Sequence, residues 1–124
     1  MPTVTIQHQG ETTRTEVAPG TRLVLAVEGA GVDIGHRCGG WANCTTCRVE
    51  LEVGEPERMT QAEAERLEAK GLSGVRLACQ IPVDRDMTVR PLMLVSEQGW
   101  SDPGPEPESQ ITPEPVWAER PGKV

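Results

Sequence analysis

The four cysteines constrain the fold of this chain more than any other feature of its 124 residues. Three of them lie in one short segment with the spacing Cys-x5-Cys-x2-Cys, namely Cys38, Cys44 and Cys47, and the fourth, Cys79, stands alone in a distant segment. The chain has four cysteines in total, and this number suggests one site with four thiolate ligands. Three ligands from a loop and one from a remote segment are the arrangement that holds an iron-sulfur cluster. The spacing therefore predicts a fold built around such a site.

The residues between these cysteines suit a loop that arches over a cluster. Two irons bridged by two sulfides need two thiolates on each iron, and one tight turn can bring Cys44 and Cys47 together. Gly39 and Gly40 have no Cβ, so their backbone N–H groups can approach the sulfurs closely. Hydrogen bonds to the sulfurs help to set the reduction potential of such a cluster. The loop is thus predicted to bind and tune a 2Fe-2S cluster.

Two other uses of four cysteines remain open. A structural zinc site also takes four thiolates, but its usual form is two close Cys-x2-Cys pairs, and Cys79 has no near neighbour. Two disulfides would suit a small secreted domain, but we find no signal peptide, and the chain is long enough to bury its own core. A Rieske centre needs two histidine ligands, and neither His8 nor His36 lies in a Cys-x-His pair. His36 is interpreted as a loop residue near the cluster.

These motifs resemble those of the 2Fe-2S ferredoxins, which have a β-grasp fold. The resemblance rests on the four cysteines, the Cys-Gly-Gly and Cys-Arg-Val motifs and the sequence Arg-Leu-Ala-Cys-Gln around the last cysteine, and it covers about residues 3 to 92. The Cys-x5-Cys interval is similar to that of the adrenodoxin or bacterial assembly-type branch, whereas the gap from Cys47 to Cys79 is nearer to that of the plant type. The resemblance implies that Cys38 and Cys44 hold the outer iron, the one that is reduced, and that Cys47 and Cys79 hold the inner one.

Composition and charge limit the classes of function. The net charge of −7 argues against nucleic acid and anionic membranes as partners, and it favours a basic protein partner. No run of the sequence approaches the roughly 18 apolar residues of a membrane span, and the start of the chain lacks a basic and apolar leader. We therefore expect a cytoplasmic protein without a membrane span. Phe and Tyr are absent, so the core must consist of Val, Leu, Ile, Ala and Met.

The hydrophobic pattern predicts an α+β fold. The predicted elements are a hairpin from Thr3 to Val17, a helix capped by Thr21 and ended by Gly29 and Gly31, an alternating strand from Arg48 to Val53, a short helix opened by the capping box Thr60–Glu63 and ended at Gly71, a strand from Val75 to Ile81 and a last short strand from Met87 to Val89. In the alternating strand, Val49, Leu51 and Val53 are expected to point inward. Together with the resemblance, this pattern predicts a β-grasp ferredoxin-like mixed sheet with one main helix and a short second helix, plus an extended C-terminal tail.

Charged residues near the predicted site have two interpretations. The resemblance implies that an acidic helix docks basic partners, and the short helix places Glu63, Glu65 and Glu68 on its exposed face. These carboxylates alternate with cations, so a face that only meets solvent remains an alternative. Arg37 and Arg76 flank the segments that carry cysteines and could offset the negative charge of a cluster.

The composition changes near residue 96. We predict a 2Fe-2S ferredoxin domain at residues 1–96 and an acidic, proline-rich tail at residues 97–124 that is extended rather than packed. The tail holds six of the eleven prolines and carries a charge of −4, which leaves −3 for the domain. Trp100 and Trp117 could clamp the tail onto the domain, anchor a partner or be incidental. Trp41 is interpreted as a shield over the rim of the cluster.

The predicted site needs no general acid, base or nucleophile. Four thiolates would saturate the two irons and leave no open position for a substrate, so we expect an electron carrier and not an enzyme. The resemblance implies transient, electrostatically steered complexes with a ferredoxin reductase and with an electron-acceptor protein. A redox-sensing or iron-sulfur assembly protein whose tail binds a client is the alternative. A zinc-stabilised interaction module would be colourless.

Overall fold

The computed structural model describes residues 2–8, 10–36, 46–56, 58–72, 74–99, 104, 107–112 and 115–119. Cys38 and Cys44 lie outside the described residues, and so do Arg37, Gly39, Gly40, Trp41 and Trp100. The predictions made for these residues stay predictions. In chain order the elements are β1 (Thr3–His8), β2 (Glu11–Glu16), β3 (Thr21–Arg22), α1 (Leu23–Gly29), β4 (Arg48–Val53), β5 (Arg58–Thr60), α2 (Gln61–Ala69), β6 (Arg76–Leu77), a 3-10 helix (Ala78–Gln80), β7 (Pro82–Val83), β8 (Met87–Pro91), α3 (Val95–Gln98) and β9 (Trp117–Glu119).

A five-stranded mixed sheet with the order β2-β1-β8-β4-β6 forms the centre of the fold. Strand β1 pairs in parallel with β8, and the other pairs in this sheet are antiparallel. Two small antiparallel sheets, β3 with β7 and β5 with β9, complete the described strands. This mixed sheet with helices α1 and α2 is the predicted α+β, β-grasp architecture. The predicted relative lengths are wrong, because α2 has nine residues and α1 only seven, and α3 is not among the predicted elements.

The amino-terminal hairpin is confirmed. Thr3 pairs with Glu16 and His8 pairs with Glu11 across the turn at Gly10, whose φ is +77°. Since alternate side chains of a strand point to opposite faces, Val4 and Ile6 enter the core together and are fully buried.

Helix α1 supplies the opposite wall of the core. Its side chains Leu23, Val24, Ala26 and Val27 are buried. The prediction that Thr21 caps this helix is wrong, because the N-cap residue is Arg22 and it makes no side-chain cap. Thr21 lies in β3, and its hydroxyl donates to the carbonyl of Ala18 at 2.7 Å instead.

Strand β4 has the predicted bounds, but only part of the predicted inward face. Val49 is fully buried, whereas Val53 is 55% exposed. The pairing of β4 with β8 shifts register between Leu51 and Val53, and such a bulge turns the following side chain away from its expected face. The expectation that Val53 points inward is therefore wrong.

Helix α2 begins at the predicted residue, but the side chain of Glu63, which is predicted to be exposed, is buried. Thr60 is the N-cap, and its hydroxyl accepts from the backbone N–H of Glu63 at 3.1 Å. The Glu63 side chain is buried, and it binds Arg76 rather than closing the capping box. Glu65 and Glu68 are exposed as predicted, but Glu63 is not.

The predicted strand from Val75 to Ile81 divides into three elements. Strand β6 ends at Leu77, the 3-10 helix follows, and the short strand β7 begins at Pro82. Cys79 therefore lies in a tight helical turn and not in a strand. The last predicted strand corresponds to β8, but β9 follows it in the tail.

The tail is extended in backbone where it is described, yet it contacts the rest of the molecule. Strand β9 pairs with β5 so that Trp117 lies opposite Thr60, and the backbone N–H of Gln61 donates to the carbonyl of Val116 at 2.8 Å. The expectation that the tail does not pack is wrong for these residues. The proposed boundary between domain and tail remains a prediction, and α3 spans it.

Candidate metal centre

Two of the four predicted ligands, Cys47 and Cys79, lie in the described part of the chain, and the fold brings them together. They are 3% and 0% exposed. The backbone N–H of Cys79 donates to the sulfur of Cys47 at 3.4 Å, although 32 residues separate them in sequence. The N–H of Ala78 also donates to the Cys47 carbonyl at 3.1 Å. The start of β4 and the 3-10 helix are thus joined where the predicted site lies.

The donors around these two sulfurs fit an iron-sulfur cluster. Besides the N–H that reaches Cys47, the side-chain amide of Gln80 donates from Nε2 to Cys79 Sγ at 3.6 Å. N–H donors aimed at buried sulfurs are the groups that stabilise thiolates and tune such clusters. Cys47 and Cys79 do not form a disulfide with each other. Within the described ranges, which leave out Cys38 and Cys44, no three His, Cys, Asp or Glu side chains gather as a metal site.

A buried arginine holds the turn that carries Cys79. Arg22 is fully buried at the start of α1, and its Nε and Nη2 donate to the carbonyl of Cys79 at 2.9 and 2.7 Å. Its Nη1 donates to the carbonyls of Glu108 and Gln110 at 2.8 and 3.0 Å. Arg22 is not among the residues predicted from the sequence, because nothing in its local pattern distinguishes it from an exposed helix-start residue.

The arginine proposed from the sequence has a different task. Arg76 donates from Nε to one carboxylate oxygen of Glu63 at 2.7 Å and from Nη2 to the other at 3.2 Å. It also contacts Glu55 and the carbonyls of Pro56 and Arg58. The expectation that Arg76 offsets cluster charge is therefore not supported, since its guanidinium is engaged with Glu63.

The Glu63 carboxylate links this ion pair to the ligand segment. It accepts from the backbone N–H of Leu77 at 2.8 Å, two residues before Cys79. Burial raises the pKa of Glu63 above its ordinary value, because the charged form loses hydration, and the Arg76 contact and the Leu77 N–H offset part of this effect.

His36 is buried at the entrance to the cysteine loop. It is 2% exposed, and its Nε2 lies 2.5 Å from a carboxylate oxygen of Glu28 on α1. Its Nδ1 is buried without a hydrogen-bond partner in the described structure. The contact with Glu28 fixes the orientation of the imidazole ring two residues before Cys38.

A family model for the 2Fe-2S iron-sulfur cluster binding domain matches residues 6–84. The chain belongs to this family, the 2Fe-2S ferredoxins. The match covers Cys38, Cys44, Cys47 and Cys79. Membership sets aside the zinc and disulfide alternatives, and the cofactor of this ferredoxin is a 2Fe-2S cluster.

Among curated proteins, this ferredoxin is similar to rhodocoxin from Rhodococcus erythropolis, with 36% identity over 106 residues that cover 79% of this chain and 99% of rhodocoxin. It is also 30% identical over 87 residues to one subunit of the Na⁺-translocating NADH-quinone reductase from Pseudoalteromonas atlantica, covering 69% of this chain. The ferredoxin spans only 21% of the length of that reductase subunit.

Two solved structures show the same fold. The ISC-like [2Fe-2S] ferredoxin FdxB from Pseudomonas putida is 31% identical, with a TM-score of 0.59 and coverage of 73% of this chain and 91% of FdxB. A chain of the covalent putidaredoxin reductase-putidaredoxin complex is 26% identical, with a TM-score of 0.55 and coverage of 72% of this chain and 96% of that chain. None of the helices described for this ferredoxin has the length and apolar character that a membrane crossing needs.

Proposed function

We propose that this ferredoxin is a one-electron carrier whose cluster is ligated by Cys38, Cys44, Cys47 and Cys79. The observation that carries the proposal is the buried approach of Cys79 to Cys47, in which a backbone N–H of one ligand segment donates to the sulfur of the other. Four thiolates saturate two irons, which leaves no position for substrate and argues for a carrier rather than an enzyme.

The residues around the two described sulfurs prepare the site for this task. When bound, the 2Fe-2S cluster supplies a centre that accepts and releases one electron. The N–H of Cys79 and the Gln80 amide donate to ligand sulfurs and so favour added negative charge. Arg22 holds the Cys79 carbonyl with two donors, which limits movement of that ligand between redox states.

The proposed partners are a reductase that supplies the electron and a protein that accepts it. The reductase is supported by the similarity to a chain of the putidaredoxin reductase-putidaredoxin complex. The carrier is favoured over a protein whose tail binds a client, because the described parts of the tail already contact the domain. Carbonyl groups within residues 107–112 accept from Arg22 and Gln80, and strand β9 pairs with β5. A cytoplasmic location is part of the proposal.

The first experiment is the visible absorption spectrum of the protein purified without added metal, before and after dithionite. We expect a red-brown protein that bleaches partly on reduction. Cys47→Ala and Cys79→Ala should each lose the colour, whereas His8→Ala on the hairpin should keep it. A colourless wild-type protein, or a Cys79→Ala variant with an unchanged spectrum, contradicts the proposed ligand set.

Transfer is tested separately from cluster binding. Stopped-flow bleaching on mixing with reduced putidaredoxin reductase should follow second-order kinetics, and a second mixing step with oxidised cytochrome c should restore the colour. A coloured protein that the reductase does not reduce and that cytochrome c does not oxidise would contradict the proposed role as an electron carrier. It would not contradict the proposed binding of a cluster.

A further inference from the structure

Gln80, the residue after Cys79, connects the proposed site with the C-terminal tail. It is fully buried. Its Nε2 lies 3.6 Å from Cys79 Sγ and 2.7 Å from the carbonyl oxygen of Thr112 in the tail. Its Oε1 accepts from the hydroxyl of Thr60, the N-cap of α2, at 2.7 Å. One side chain therefore bonds to a ligand sulfur, to the start of a helix and to the tail.

The chemistry of these partners decides which end of the Gln80 amide faces the sulfur. The Thr112 carbonyl and a Cys79 thiolate can only accept, so both require the NH₂ end, which has two hydrogens to donate. The Thr60 hydroxyl can serve either end of the amide. The tail carbonyl therefore reinforces the orientation in which one N–H points at Cys79 Sγ.

The position of the Thr112 carbonyl is itself fixed on both sides along the chain. Before it, Arg22 Nη1 donates to the carbonyls of Glu108 and Gln110. After it, strand β9 pairs with β5. The tail is thus held at two points that bracket its contact with Gln80.

We propose that Gln80 is a positioning residue for electron transfer, which the tail orients so that its amide donates to the Cys79 sulfur and raises the reduction potential. The physical reason is that the donor stabilises the more negative, reduced site more than the oxidised one. This inference rests on the proposed ligation by Cys79.

The test is the reduction potential of full-length variants that keep their cluster. Gln80→Met preserves side-chain length but removes the donor, and we expect the potential to fall by about 59 mV, a tenfold change in the one-electron equilibrium constant. Gln80→Glu replaces the donor with an acceptor that opposes both Cys79 Sγ and the Thr112 carbonyl, and it should lower the potential further.

The part played by the tail is tested with Ala118→Pro, which removes a backbone donor opposite Met59 in the β5–β9 pair. Weakening this pair, one of the two points that hold the tail around Thr112, should lower the potential in the wild-type background but add little to Gln80→Met, because both changes act through the contact with Gln80. Val116→Ala shortens a 54% exposed side chain on the same segment and should leave the potential unchanged.

The outcomes separate this inference from the proposed function. An unchanged potential in Gln80→Met, or additive effects of Gln80→Met and Ala118→Pro, overturns the role of Gln80 even if Cys79→Ala loses the cluster. If Gln80→Met fails to retain a cluster, Gln80→Glu and Ala118→Pro decide, since an unchanged potential in both of these variants also overturns the inference. Retention of the normal spectrum by Cys79→Ala would instead remove the proposed function on which the inference depends.

Discussion

Arg76 and Glu63 form a buried ion pair beside the segment that leads to Cys79. Their side chains are 4% and 0% exposed, and the carboxylate also accepts from the Leu77 N–H. Removing one member of such a pair leaves a charge without its partner in a site that excludes water, which costs more than the pair itself contributes. The stability of the ligand segment therefore depends on keeping both charges or neither.

Replacing Arg76 with Met should lower the free energy of unfolding by about 3–5 kcal/mol near neutral pH, because Glu63 is then a buried carboxylate without its cation. Urea unfolding followed by circular dichroism measures the change. Arg85→Met removes an exposed cation from a surface pair with Asp84 and should shift stability by no more than about 0.5 kcal/mol.

The loss caused by Arg76→Met should also depend on pH. Burial already raises the pKa of Glu63, and the variant removes the cation that opposes this shift. A carboxyl whose folded pKa exceeds its unfolded pKa contributes stability that is present below the unfolded value and is lost as pH rises through the folded one. The deficit relative to wild type should therefore grow as pH rises from below the ordinary pKa of a glutamate to neutral and above. A deficit that is constant over this range would contradict the assignment of the shift to Glu63.

At the level of secondary structure, the backbone at the end of β4 approaches the backbone that leads into β8 closely, at Gly54. Gly54 follows the bulged end of the strand with a φ of +82°, and a Cβ at this position would lie 2.3 Å from the carbonyl oxygen of Asp86. The backbone just before β8 therefore occupies the space that a side chain would need. Only glycine permits β4 and the start of β8 to meet in this way.

Gly54→Ala should lower the free energy of unfolding by about 3 kcal/mol or more, since it combines left-handed strain with a backbone clash. Gly10→Ala is the matched control, because Gly10 has a similar φ of +77° but a Cβ added there would meet no atom within 4 Å. We expect the control to lose only about 1–2 kcal/mol. Equal losses in a thermal or urea unfolding experiment would show that the contact with Asp86 relaxes freely.

For the whole molecule, the charge of −7 should act on encounters rather than on the fold. The second-order rate constant for reduction by a basic reductase surface should fall as ionic strength rises, because salt screens long-range attraction. Stopped-flow measurements over a salt series test this. Glu65→Gln with Glu68→Gln on α2 should weaken the dependence more than Glu11→Gln with Glu16→Gln on β2. If the rate constant depends equally on ionic strength in both double variants, the carboxylates of α2 face solvent and do not dock the reductase.

The features that followed from the sequence are those with a local or compositional signal. The cysteine spacing led to the cluster, alternation led to the hairpin, and the N-cap Thr60 marked the start of α2. The buried charges gave no such signal, since the sequence around Arg22, Glu63 and Arg76 does not show which distant groups they bind. Their burial follows from partners far away in the chain, such as the 57 residues that separate Arg22 from Cys79.

Backbone contacts account for the remaining differences. Strand β9 pairs with β5 through main-chain groups, so a proline-rich composition did not reveal it. The 3-10 helix at Cys79 likewise results from long-range contacts, including the N–H of Ala78 with the Cys47 carbonyl. A run of apolar residues cannot distinguish this turn from a strand.

The central position of β8 bears on how the chain matures at the ribosome. Strand β8 lies between β1 and β4, yet it is synthesised after both, and β9 emerges later still. Cys47 and Cys79 therefore leave the exit tunnel before the strand that completes the main sheet. A nascent chain that has released Cys79 from the tunnel, but not yet Pro91, would present thiols without a finished core around them.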